Sequence, residues 1–297
     1  MNNTNSNKNS EHLAVLLGAF LISFSPVFVK IADVSSTVAG VYRVLFGAIT
    51  LLIYAFIKRD KFWKGWPQFI LAITIGFVFA VDLTAWHKSI HYIGPGLSTI
   101  LGNFQVLLLS AFGVFILKEK LSWRFKMAVP LGLLGLILIF GWDWQSLDAN
   151  YKLGFLLGLA TAISYATFTL TLRHSQSRPD PLSPLVNLIY ISLSTTFFMS
   201  IFSLILGERF AIPNLKSWGA MLGYGVICQA LAWLLISRSL PKLRASLVGL
   251  ILLLQPTLSF VWDMLLFGRP TTLYEMFGVI MALAAIYLGS SNRNGRK

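Results

Sequence analysis

Three ionisable side chains fall inside long apolar stretches of this sequence: Arg43, Asp82 and Asp263. In lipid surroundings such a charge costs at least about 2.5–3.5 kcal/mol, so each needs a partner or a wet cavity. Paired, they tie helices together; facing water, a carboxylate such as Asp82 takes up a proton or a substrate amine. Around Asp82 the segment AVDLTAWHKSIHYIGPG, residues 80–96, adds Trp86, His87, Lys88, His91 and Tyr92. Residues four apart share a helix face, so Asp82 and Trp86 point the same way, a pattern that Gln229 and Trp233 repeat. Asn103, Gln105 and Gln255 are amides within apolar runs, and Tyr165 adds a hydroxyl. Amides in such positions bond across helices, typically for about 0.6 kcal/mol, or meet a substrate. Asp82, Trp86, Asn103, Tyr165, Gln229, Trp233 and Gln255 together suit a pocket for a small, partly apolar zwitterion.

Other chemistries find little support. His87 and His91 have metal-binding spacing, but no carboxylate lies at a matching position. With Lys88 and Tyr92 they suit the headgroup region, where aromatic and basic groups anchor helices. Cys228 is the only cysteine, which excludes an intrachain disulfide and a cysteine-based metal site; it suits packing as a small apolar residue. No phosphate-binding Walker motif, HExxH or GxSxG occurs, so no cofactor or metal is implied. An intramembrane enzyme acting on a lipid-soluble substrate is the alternative, lacking a clear nucleophile.

The elements that position these residues follow from hydropathy. Of the 297 residues 56% are hydrophobic and 12% charged, with a mean hydropathy of +0.72. A soluble protein carries about twice that charged fraction. Apolar runs of about twenty residues match the roughly 30 Å core of a bilayer, and a bare backbone in lipid must be helical. Ten helices are expected: Leu13 to Lys30, Val38 to Ile57, Pro67 to Ile90, Pro95 to Leu117, Phe125 to Gly141, Lys152 to Leu172, Pro184 to Leu206, Ser217 to Leu240, Leu243 to Phe267 and Leu273 to Gly289. Pro26 and Pro256 interrupt the first and ninth, each freeing a carbonyl four residues earlier, and are candidate hinges. Gly132, Gly135, Gly154 and Gly158 suit close helix packing.

The net charge of +13 is topological. With the N-terminus in the cytoplasm, seventeen Lys and Arg face inward and six outward, a strong positive-inside bias. It places both termini, residues 1–12 and 290–297, in the cytoplasm of a cell inner membrane, and argues against nucleic acid as a partner; membrane lipid is the expected one. In this orientation Arg43, Asp82 and Asp263 sit roughly 9, 12 and 6 Å below the outer surface by helical rise. Arg43 is expected to pair with Asp82, either only to hold two helices together or also to present Asp82 to cargo.

A shift of 150 residues lays Leu83–Gln105 over Trp233–Gln255, with Ser89 on Ser239, Leu97 on Leu247 and Gln105 on Gln255. Each half then holds five helices, residues 13–141 and 152–289. Because five is odd, the second half enters the membrane inverted, a plan of secondary transporters. The fold class expected is an all-α membrane protein, ten transmembrane helices in two inverted five-helix repeats.

Particular motifs carry a resemblance. DLTAWHKSI followed by LSTILGN, the arginine-led YRVLFGAITLL, and QALAWLLISRSLPKLRASLVGLILLLQP resemble the third and fourth, second, and eighth and ninth helices of EamA-type carriers in the drug/metabolite transporter superfamily. The likeness covers about Leu13 to Gly289. It implies ten helices in two inverted halves, and export or uptake of small metabolites such as amino acids. The expectation is therefore a secondary transporter with an amino acid or related metabolite as substrate. Cargo identity, direction, energy coupling and oligomeric state stay open.

Overall fold

The computed structural model describes residues 2–140, 149–268 and 270–290. Gly141, Arg269 and the basic tail after Ser290 lie outside them. Every regular element among the described residues is helical. Seven stretches are apolar and long enough to cross a membrane; Leu101–Phe115 and Leu273–Leu288 are apolar but shorter.

The first span is α1 (Asn2–Ile22) and α2 (Ser25–Ile31), broken at Ser23 and Phe24. Helical geometry thus begins well before Leu13, over residues expected to form a polar tail. The break has a cause in sequence. Pro26 has no N–H for the Ile22 carbonyl, and Ser25 Oγ donates to that carbonyl instead, at 2.6 Å. Helix α3 (Ser36–Lys58) is capped by Ser35, whose side chain accepts from the Val38 amide, and ends at Arg59 in left-handed conformation.

Helical geometry then runs from Trp66 to Asn103 as α4, with no break between the spans expected to end at Ile90 and begin at Pro95. The chain nevertheless doubles back there. Ser98 Oγ donates to the Trp86 carbonyl at 3.4 Å, whereas twelve residues of straight helix would part them by about 18 Å. The third and fourth spans are therefore a helical hairpin within α4. The fourth continues, after a break at Phe104, as α5 (Gln105–Phe115), and α6 (Trp123–Phe140) completes the half.

The second half comprises α7 (Ala149–Gln176), α8 (Pro184–Ile205), α9 (Leu215–Gly223), a π-helical stretch Tyr224–Leu231, α10 (Ala232–Ser239), a 3₁₀ turn Leu240–Lys242, α11 (Ala245–Leu252), α12 (Leu254–Phe267) and α13 (Leu273–Ser290). The ninth span breaks at Leu253, just before Pro256. Phe104 and Leu253 are one residue off the 150-residue repeat, so the two halves share this defect. Packing follows the repeat as well. Helix α3 lies on α8, α5 on α11 and α6 on α13, each a span against its own counterpart. The contact of α1 with α10 has its mate in α7 with α4, and that of α3 with the π stretch in α8 with α4.

These contacts need glycine. A Cβ at Gly225 would lie 2.5 Å from Phe46 Cβ and 2.8 Å from the Gly47 amide, and one at Gly135 would lie 2.7 Å from the Gly278 carbonyl. Inserting bulk into such a contact costs typically 1–3 kcal/mol or more. Gly225→Val is expected to lower the thermal midpoint in detergent by several degrees. Gly219→Val, in the same span but with open space around it, should leave it unchanged.

Candidate functional site

The end of the bundle that carries Lys242 and Glu119 is closed. Glu11 accepts from Lys242 at 2.5 Å and Ser239 at 2.7 Å. Glu119, after α5, accepts from the amides of Ala245 and Ser246 at 2.8 and 3.4 Å and from Ser246 Oγ at 2.6 Å. It thus caps the N-terminus of α11, where anionic groups are favoured. Further in, Phe79 stacks on Phe168 with centroids 4.3 Å apart, and Trp233 meets Phe168 edge-on at 4.9 Å. Trp233 is 1% exposed, and this aromatic layer is the floor of a cavity.

The cavity, about 770 Å³, opens at the opposite end between α2, α3, α4 and α12. At its mouth Lys30 pairs with Asp263 at 2.8 Å and lies over the Phe267 ring. Deeper, its wall holds Arg43, Asp82, Trp86, Asn103, Tyr165, Trp233 and Gln255, with Pro26 and Pro256 beside the two helix breaks. Gln255 donates to the Tyr165 hydroxyl at 3.2 Å. Asn103 spends its amide N–H on the Thr99 carbonyl at 2.8 Å.

Two expectations from sequence are corrected here. Arg43 forms no ion pair with Asp82: Nε donates to Gln229 Oε1 at 3.1 Å, and Nη1 lies 3.4 Å from the Tyr224 hydroxyl, donating to it. The reason is azimuth. Arg43 shares a face of α3 with Gly47, against which Gln229 packs so closely that a Cβ would stand 2.4 Å from Gln229 Cγ. That face meets the π stretch rather than α4. Gln229, 1% exposed, is therefore not in the cavity wall but behind Arg43, held in turn by donating to Ser192 Oγ at 3.1 Å. Asp82 is left with Oδ1 buried and without a hydrogen bond.

The second correction concerns the histidines. His91 is exposed, but His87 is 4% exposed, lines the cavity beside Trp86, and has no partner at either ring nitrogen. Gly40 makes the room, since a Cβ there would stand 2.8 Å from His87 Cε1. Sequence reasoning also missed Tyr224, Thr99, Thr161 and Ser259 as wall residues. No group of three or more possible metal ligands occurs among the described residues.

The site thus joins a rigidly held guanidinium, a buried carboxylate without an ion-pair partner, two unpartnered imidazole nitrogens and aromatic walls in one chamber. An all-helical membrane bundle with such a chamber belongs to the class of multi-spanning transporters. Comparison gives the family: EamA-like transporters match residues 9–141 and again 152–291, and the chain belongs to that family. Among relatives, an uncharacterized transporter of Archaeoglobus fulgidus is 21% identical over 286 residues, 93% of this chain and 94% of its own. The transporters YvbV and YoaV of Bacillus subtilis, likewise uncharacterized, are 24% and 21% identical over 87% and 91% of this chain, covering 83% and 92% of their own. A crystal structure described only as that of a protein superposes with a TM-score of 0.81 at 15% identity, over 95% of this chain and 98% of that one. It carries the same fold.

Proposed function

We propose that this transporter is a secondary carrier of small zwitterionic metabolites, amino acids or their derivatives first among them, working by alternating access. One observation carries the reading. One cavity is lined by both a fixed cation, Arg43, and an unpaired carboxylate, Asp82. A carboxylate of cargo meets Arg43, its ammonium meets Asp82, and Trp86 and Tyr165 cover its apolar part. Buried charges of this kind are retained where cargo or protons pass. Positive-inside counting puts both termini in the cytoplasm of the inner membrane, so the cavity opens outward and the Glu11 and Glu119 contacts close the cytoplasmic side. The breaks next to Pro26 and Pro256 are the hinges.

The reading is tested by counterflow of a labelled amino-acid panel into proteoliposomes of the purified protein. Uptake of one group of zwitterions supports it; conversion of a compound without its translocation overturns it in favour of an enzyme. Asp82 is also the proposed proton site. Asp82→Asn is expected to abolish pH-gradient-driven flux while counterflow exchange persists; unchanged gradient-driven flux removes that role.

A further inference from the structure

The membrane-facing side of the bundle carries a second concavity, which shares no wall residue with the cavity. A groove of about 370 Å³ lies between α4 and α8, lined by Phe69, Ile73, Tyr190, Leu193, Phe197 and Phe198, with Ser194 at its base. It follows α8 from Tyr190 to Phe197, roughly 10 Å. Its two polar side chains are already satisfied: Ser194 Oγ donates to the Ile73 carbonyl at 2.9 Å and Tyr190 to the Phe62 carbonyl at 3.0 Å. What fills the groove is therefore apolar along its length.

One end of the groove is different. Tyr190 and Phe69 meet edge-on at 5.2 Å, and Trp63 and Trp66 each stand 5.9 Å from Phe69. Both tryptophans are more than half exposed, as suits rings at a membrane interface. Both tryptophans belong to the segment Lys58–Trp66, which carries Lys58, Arg59, Lys61 and Lys64 and a single carboxylate, Asp60. Asp60 accepts from Ser183 at 2.9 Å. Lys64 pairs with Asp180, a carboxylate 70% exposed, and an ion pair so exposed is weak. Arg59 and Lys61 are exposed.

We infer that this groove is a binding site for one anionic phospholipid, its acyl chain between α4 and α8 and its phosphate at Lys61 and Lys64. The charge arrangement selects this occupant over the others. A zwitterionic lipid would fill the groove but add no net charge to offset four cations that face only Asp60 and the exposed Asp180, and a second copy of the chain docking here by a twofold axis would oppose two like-charged segments.

The test uses the purified full-length protein and native mass spectrometry, with phosphatidylglycerol and phosphatidylcholine of identical acyl chains as probes. Wild type is expected to retain one phosphatidylglycerol in preference to phosphatidylcholine. Lys61→Gln combined with Lys64→Gln should cut that preference about 25-fold, each cation near an anionic surface being worth about a factor of five. Leu193→Trp fills the groove without touching either lysine or the cavity, and should reduce retention of both lipids while leaving the thermal midpoint in lipid-free detergent unchanged. Equal retention of the two lipids by wild type overturns the proposal. So does a preference unmoved by either variant, or a dimer mass that disappears with Leu193→Trp.

Discussion

Replacing Arg43 by glutamine is expected to abolish binding of cargo that carries a carboxylate, while the fold persists. Removing one partner of a buried, hydrogen-bonded charge pair costs about 2–5 kcal/mol, which is roughly thirtyfold or more in apparent affinity. Arg43→Lys should not rescue it. The guanidinium presents its donors in a fixed fork, and two of them are already committed to Gln229 and Tyr224. A lysine cannot hold both of these and a carboxylate in the same places. Gln229→Leu is expected to act in the same direction but less strongly, since it removes only one of the two groups that hold Arg43. The measurement is cargo-induced thermal stabilisation across the amino-acid panel, in which stabilisation follows occupancy. Wild-type stabilisation in Arg43→Gln would place the carboxylate site elsewhere.

Gln105→Leu is expected to slow transport by tenfold or more while making the purified protein more stable. Gln105 is fully buried and neither its amide nitrogen nor its oxygen has a hydrogen bond. An unsatisfied buried amide costs about 1–3 kcal/mol. Its repeat counterpart Gln255 lines the open cavity and donates to Tyr165. If the two halves exchange conformations, Gln105 takes the cavity position when the opposite end opens, and its cost here becomes a bond there. A carrier needs two states within a few kcal/mol of each other. Leucine removes the penalty from the state described and the reward from the other, so the equilibrium stays in the first. A rise in thermal midpoint together with loss of counterflow is the expected pair of readings. Unchanged counterflow would show that Gln105 takes no part in the other state.

The spans were legible because hydropathy and length depend on composition alone, and the repeat because counterparts such as Gln105 and Gln255 keep their register. The breaks were only half legible. Pro26 and Pro256 announce the first and ninth, but the fourth span breaks at Phe104 with Val106 where its counterpart has proline. That break belongs to the shared geometry of the halves, not to a missing N–H. Arg43 and Asp82 do line one cavity, but they do not pair, because sequence gives spacing along a helix and not azimuth. Pairing depends on which neighbour each face meets, and Gly47 and the π stretch, which turn Arg43 toward Gln229, leave no periodic signal. His87 was placed at the interface for the same reason. Its burial, its place in the cavity wall and the packing of Gly40 against it reveal an inward-facing ring.

The central claim is that two inverted halves open one chamber to each face in turn. Single cysteines at repeat-related positions test it most directly, in a Cys228→Ser background and proteoliposomes of known orientation. Ser259 lines the open cavity, and its counterpart Leu109 is fully buried. Ser259→Cys should react with a membrane-impermeant maleimide added on the cavity side. Leu109→Cys should react only from the opposite side, and only while cargo is being exchanged. Reaction of both from the same side, or silence at Leu109→Cys during active exchange, would contradict the account.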